Sequence, residues 1–188
     1  MPESDCDHID RILAAWQRER PDLDTRAMGL LGRLFRAVQL ADTALTDGLG
    51  EHDLQRGWFD LLCALRRAGP PYELNPSQLM RTVMISSGGM TKRLDRMVEA
   101  GLVERRPDPT DRRGTLVRLT RRGKETIDRA VETHVANEER LLRSLTAKER
   151  RTLDRLLRRL LEELEGSDES SAPDRPRGAP RGGGCSCI

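Results

Sequence analysis

Apolar residues recur every three to four positions along most of the chain, and the breaks in that rhythm divide it into helices. Over residues 7–19, Ile9, Ile12, Leu13 and Trp16 share one helical face, and Pro21 ends it. Leu31, Leu34, Phe35, Val38, Ala41 and Leu45 predict a second helix over about residues 24–45, broken by "TDGLGEHD". A third, over about residues 55–68, carries Trp58, Leu61, Leu62 and Leu65 and stops at "GPPY".

"NPSQL" then opens a short helix that ends near Val83, with Asn75 as cap, Pro76 in the first turn and Gln78 closing a capping box. A tight break leads to a helix capped by Ser86 that runs to about Ala100, where Gly101 stops it. Period-two segments follow, "LVERR" and "TLVRLT", joined by the charged tip "PDPTDRRG", which together predict a hairpin. A long helix over about residues 122–143 carries Ile127, Val131, Val135, Leu141 and Leu142. Thr146 and Glu149 form another capping box before a last helix rich in leucine, and from Gly166 the Gly/Pro/Ser/Arg-rich chain is expected to be disordered. The predicted fold is mostly α with a small β-hairpin, and helix, short helix, tight break, helix and hairpin is the order of a winged helix-turn-helix.

Composition agrees: 34% of residues are charged and only 3% aromatic, a helix-rich balance. The net charge of +2 hides an asymmetry. Residues 76–125 hold twelve Lys/Arg against six Asp/Glu, a local +6 that leaves −4 for the rest. A basic module in an acidic chain points to a polyanionic partner. Within it, Ser86, Ser87, Gly88, Gly89, Thr91 and Lys92 bring hydroxyl, backbone amide and ammonium donors to a helix N-terminus, where phosphate is favoured. Arg96 is a further candidate contact on the same helix, and Arg112 and Arg113 at the wing tip can each neutralise a phosphate or enter a narrow groove.

The block Met90 to Gly123, "MTKRLDRMVEAGLVERRPDPTDRRGTLVRLTRRG", resembles the recognition helix and wing of the MarR family of bacterial transcription regulators, whose Asp-x-Arg tip falls on Asp111 and Arg113. In organisation the likeness runs from about Leu31 to Leu164. It implies a homodimer built by N- and C-terminal helices, gripping a pseudo-palindromic site in double-stranded DNA, usually as a repressor, with Asp111 paired to Arg113 to stiffen the wing. The implied domains are N-terminal helices over 1–47, a DNA-binding domain over 48–122, C-terminal dimerisation helices over 123–165 and a tail over 166–188.

"SSGGMT" followed by Arg93 is similar to the branch of that family that answers urate or related anionic metabolites. That branch adds an N-terminal helix with a tryptophan, matched by Trp16, and an aspartate in the third helix, matched by Asp60 in "WFDLL". The likeness implies that Trp16, Asp60 and Arg93 contribute to a pocket for a small-molecule effector, urate or an organic-acid anion, whose binding releases DNA. Arg93 lies three residues after Met90 and four before Met97, at the edge of the inward face. A guanidinium there needs a partner, which an anionic ligand, or Asp60 in its absence, would supply.

The residues alone leave other readings open: a structural ion pair or snorkelling chain for Arg93, a solvated carboxylate for Asp60, plain core for Trp16, and a winged helix used for protein contacts. A redox switch is a further alternative, with Cys6 as its thiol and Cys63 as backup, although the chain has only one tyrosine, Tyr72, to activate either. An enzyme is not expected, because no Gly-rich strand-to-helix turn, metal cluster or nucleophile–base pair is legible. No cofactor is implied. No apolar run approaches the roughly 18 residues of a membrane span, and the acidic N-terminus is unlike a signal peptide, so a cytoplasmic protein with no membrane partner is expected.

Overall fold

The computed structural model describes residues 6–83, 87–111 and 114–170. The chain divides into two compact units, Met1–Leu45 and Thr46–Ile188. In the first, α1 (His8–Glu19) opens on a reciprocal capping box: Asp10 N–H donates to Asp7 Oδ1 at 2.8 Å and Asp7 N–H to Asp10 Oδ2 at 2.9 Å. It packs on the first part of α2 (Arg26–Leu49), where two glycines admit its side chains. A Cβ on Gly29 would lie 2.8 Å from Leu13 Cδ1, and one on Gly32 would lie 3.3 Å from Ile9. Arg33 of α2 ties the pair by bonding Asp7 at 2.7 Å and also Asp10.

α2 runs on to Leu49, past the end expected near Leu45. The reason lies in tertiary contact. Leu49 is only 1% exposed, and Gly48 sits against Asn137, whose Nδ2 would be 2.3 Å from a Cβ there. Such packing outweighs the roughly 1 kcal/mol that glycine costs a helix.

In the second unit, a 3₁₀ turn (Gly50–His52) leads into α3 (Arg56–Arg67), β1 (Glu73–Leu74), α4 (Pro76–Val83), α5 (Ser87–Glu99), β2 (Val103–Pro107), β3 (Thr115–Leu119), α6 (Arg121–Leu141) and α7 (Ala147–Ser170). The sheet has the order β1-β3-β2, all antiparallel, with Val103 opposite Leu119 and Pro107 opposite Thr115. The hairpin was legible in the sequence, whereas β1 was not, because two residues carry no alternation to read. Leu61, Leu62, Leu65, Leu79, Met97, Val117 and Ile127 are fully buried and form the centre of the core.

Thr146 and Glu149 cap α7 as expected. That helix continues through Gly166 to Ser170, where disorder had been expected. Proline, the stronger breaker, does not occur until Pro173. No helix among the described residues is long and apolar enough to cross a membrane.

Candidate nucleic-acid interface and effector site

Two short sequence signals set up the helix-turn-helix. Asn75 and Gln78 bond each other's backbone N–H at 2.8 and 2.9 Å, fixing the start of α4. After the break, α5 buries Met90, Leu94 and Met97 and exposes Gly89, Lys92 and Arg96, a stripe at i, i+3 and i+7 with Thr91 exposed beside it. The N-terminal turn of α5 contains Ser87 and Gly88; Ser86 lies outside the described residues.

α5 ends in a Schellman motif. Leu102 N–H donates to Met97 O at 3.0 Å and Gly101 N–H to Val98 O at 2.9 Å, with Gly101 at φ +68°. This turn aims β2 back along the recognition helix, and Arg105 of β2 then bonds Asp95 of α5 at 2.8 Å. That ion pair, invisible in the sequence because it joins two elements, fixes the wing to the helix. β2 exposes Arg105 and Arg106, which adds positive charge to the wing. In the wing loop, Asp108 accepts from Thr110 N–H at 2.8 Å and from its hydroxyl at 2.6 Å, which holds the Asp108 carboxyl below its ordinary pKa. Gly114 N–H donates to Asp111 O at 2.8 Å. Arg112 and Arg113, and with them the expected Asp111–Arg113 pair, lie outside the described residues.

Arg93 departs from the rest of the recognition helix. It is half-buried, and no hydrogen bond or ion pair reaches it among the described residues. Its guanidinium lies on the first turn of α3: a Cβ on Gly57 would be 2.8 Å from Arg93 Cζ and 3.0 Å from both Nε and Nη1. The near-equal distances, with Cζ closest, mean that the flat face of the group is turned to Gly57. Asp60, the expected partner of Arg93 in the absence of ligand, has a cation on its own helix within reach. Asp60 Oδ1 stands 4.0 Å from Arg56 Nε, one turn back on its own helix, both side chains being largely buried. The i, i+4 spacing places Arg56 on the same face of α3 as Asp60. Trp16 belongs to the first unit, on α1, and is 41% exposed rather than core.

A separate cleft of about 460 Å³ is lined by Leu54, Trp58, Leu102, Arg122, Thr126 and Arg129 among others, and neither Asp60 nor Arg93 belongs to it. Cys63 is buried, and burial pushes its thiol up to about 11, with the Arg67 charge opposing only weakly. At neutral pH it stays protonated and is a poor candidate for a sensing thiolate. Cys6 is exposed at the start of α1.

A short helix, a recognition helix and a strapped β-wing over one core define a winged helix-turn-helix, the architecture of a DNA-binding transcriptional regulator. Known proteins agree. Residues 52–114 match the family model described as MarR family. The chain is 39% identical over 156 residues to the HTH-type transcriptional regulator PecS of Dickeya dadantii, spanning 83% of this chain and 94% of that protein. It is 35% identical over 133 residues to the multiple antibiotic resistance protein MarR of Escherichia coli, spanning 70% and 90%. Among solved structures, a mutant MarR from E. coli complexed with operator DNA superposes with a TM-score of 0.62 at 32% identity, over 78% of this chain and 97% of that one. AbsC, a MarR family transcriptional regulator from Streptomyces coelicolor, gives 0.66 at 27% identity, over 77% and 97%. The chain belongs to the MarR family of winged-helix transcriptional regulators.

Proposed function

We propose that this regulator binds a pseudo-palindromic operator as a homodimer, most simply as a repressor, and releases it when a small anionic metabolite, urate or an organic acid, engages Arg93. The observation that carries the reading is Arg93 itself. A half-buried guanidinium on the recognition helix, with no hydrogen bond or ion pair from it seen among the described residues, offers its N–H edge to an anion. Because α5 also carries the DNA-facing stripe, a ligand that binds Arg93 better in one orientation of the helix than another shifts the DNA-binding equilibrium.

Gly89, Thr91, Lys92 and Arg96 are the proposed contacts from the helix, with Ser86, Ser87 and Gly88 at its N-terminus and Arg112 and Arg113 from the wing. Asp60, one turn along α3 from Arg56, is proposed to orient the ligand through a polar edge. Trp16 is retained from the resemblance alone, and Trp16→Phe tests it by its effect on ligand potency.

The test is fluorescence-anisotropy binding to the intergenic DNA beside the gene, with urate and a panel of organic acids, for wild type and Arg93→Ala. The expected outcome is tight, salt-sensitive binding by both proteins, ligand release of the wild type, and at least a tenfold loss of ligand potency in Arg93→Ala. A variant released as readily as wild type removes Arg93 from the sensor. Peroxide-dependent release that is lost in Cys6→Ser would move the switch to that thiol.

A further inference from the structure

We propose that Gly57 is the positioning residue of the effector response, its missing side chain giving the Arg93 guanidinium a seat on α3. The proposal rests on the reading of Arg93 as the anion contact. Gly57 stands in the first turn of α3, a place where glycine weakens the helix and serves no turn, so its presence calls for a reason. Contact with Arg93 supplies one. Any Cβ there would stand 2.8 Å from Cζ, closer than such atoms approach, so residue 57 and the seated guanidinium cannot both keep their places once a methyl is added. The atom that must yield is the end of a flexible side chain, so the chain still folds while Arg93 loses its position.

The seat has chemical consequences. Turned face-on to Gly57, the guanidinium covers α3 with the surface that makes no hydrogen bonds and keeps its donors in the plane at right angles to the contact. It is thereby held ready for a planar or carboxylate anion with little side-chain entropy left to lose, which is how preorganisation raises affinity. Gly57 also joins α3 to the recognition helix at the residue that would sense the ligand. An anion that draws Arg93 along or off this seat moves α5 relative to α3, and residue 57 sets how much ligand is needed.

The experiment is a double-mutant cycle of Gly57→Ala and Arg93→Ala, with Gly50→Ala as control, since a Cβ at Gly50 meets nothing within 4 Å. Two readouts are taken on the full-length protein: melting temperature without ligand, and the urate concentration that half-releases operator DNA. In the Arg93→Ala background, Gly57→Ala should raise the Tm by about 2 °C through helix propensity alone. With Arg93 present that gain should be absent or reversed. Gly57→Ala should bind DNA within about threefold of wild type yet need at least fivefold more urate, and should change nothing further in Arg93→Ala.

Equal Tm gains in both backgrounds would overturn the seat, whether or not urate is the effector. An absent Tm gain with unchanged urate potency would leave the seat but overturn its part in the response. If Arg93→Ala itself responds to urate normally, the sensor reading fails while the Tm cycle still decides the seat.

Discussion

Asp128 receives two cations at once, Lys124 Nζ at 2.7 Å and Arg66 Nε at 2.6 Å, and both cations also lie over the Tyr72 ring, at 5.8 and 5.1 Å from its centre. The bond from Lys124, and then that from Arg66, hold the Asp128 carboxyl below its ordinary range. A depressed carboxyl stabilises the fold above its unfolded pKa of about 3.9 and loses that contribution as pH falls through the folded value. The groups are more than a third exposed, so screening limits the effect to about 0.2–1 kcal/mol. Asp128→Asn should therefore lower the Tm by a few degrees at pH 7, and the gap should close below about pH 4. A gap that stays constant as the pH is lowered through the titration of the carboxyl would assign the loss to packing. At this scale, local spacing was readable at Asn75–Gln78 and Thr146–Glu149, both three-residue capping pairs; the Asp7–Asp10 box has the same spacing but an Asp where Glu or Gln would signal it. Arg56–Asp60 was equally readable at i, i+4. The Gly57 seat was not, because it joins two helices thirty-six positions apart in the chain.

Elements meet where α6 begins. Thr120 donates its hydroxyl to Gly101 O at 2.7 Å and its N–H to Leu102 O at 3.1 Å, while its hydroxyl caps Gly123 N–H at 2.9 Å. This places the first turn of α6 directly on the Schellman turn that follows the recognition helix. A Cβ on Gly123 would be 1.9 Å from Leu102 O and 2.8 Å from Leu102 C, which are backbone atoms that cannot swing aside. Gly123→Ala should destabilise the protein by about 1–3 kcal/mol, measured by urea unfolding, and weaken operator binding by tilting β2. Gly50→Ala, with open space around it, should change neither. If Gly123→Ala leaves both stability and binding intact, the junction does not set the wing. Helix starts, helix faces and the hairpin were legible because their signals are periodic or local. The overrun of α2 to Leu49 and the short β1 were not, since burial of Leu49 and pairing of Tyr72 O with Leu119 N–H at 3.1 Å depend on residues far away in sequence.

At the scale of the whole molecule, two helices carry exposed apolar residues. On α2, Leu30 is 71% and Phe35 68% exposed; on α7, Leu153, Leu156, Leu160 and Leu164 are all exposed at helical spacing. Exposed apolar residues repeated along one helix mark an association site, and a pseudo-palindromic operator asks for two-fold symmetry in what binds it. A second copy of the chain meets both demands, so the species in solution should have twice the 21.2 kDa mass of one chain. Leu156→Glu combined with Leu160→Glu places two charges on the α7 face, where burial in a dimer would leave them unpaired. Light scattering should then show a monomer that keeps its helical circular dichroism. The same variant should bind the full operator at least a hundredfold more weakly, because each half-site is held separately once the link between the two DNA-binding units is lost. A dimer that survives both substitutions would shift the interface to α2, and Phe35→Glu would be the next variant to break it.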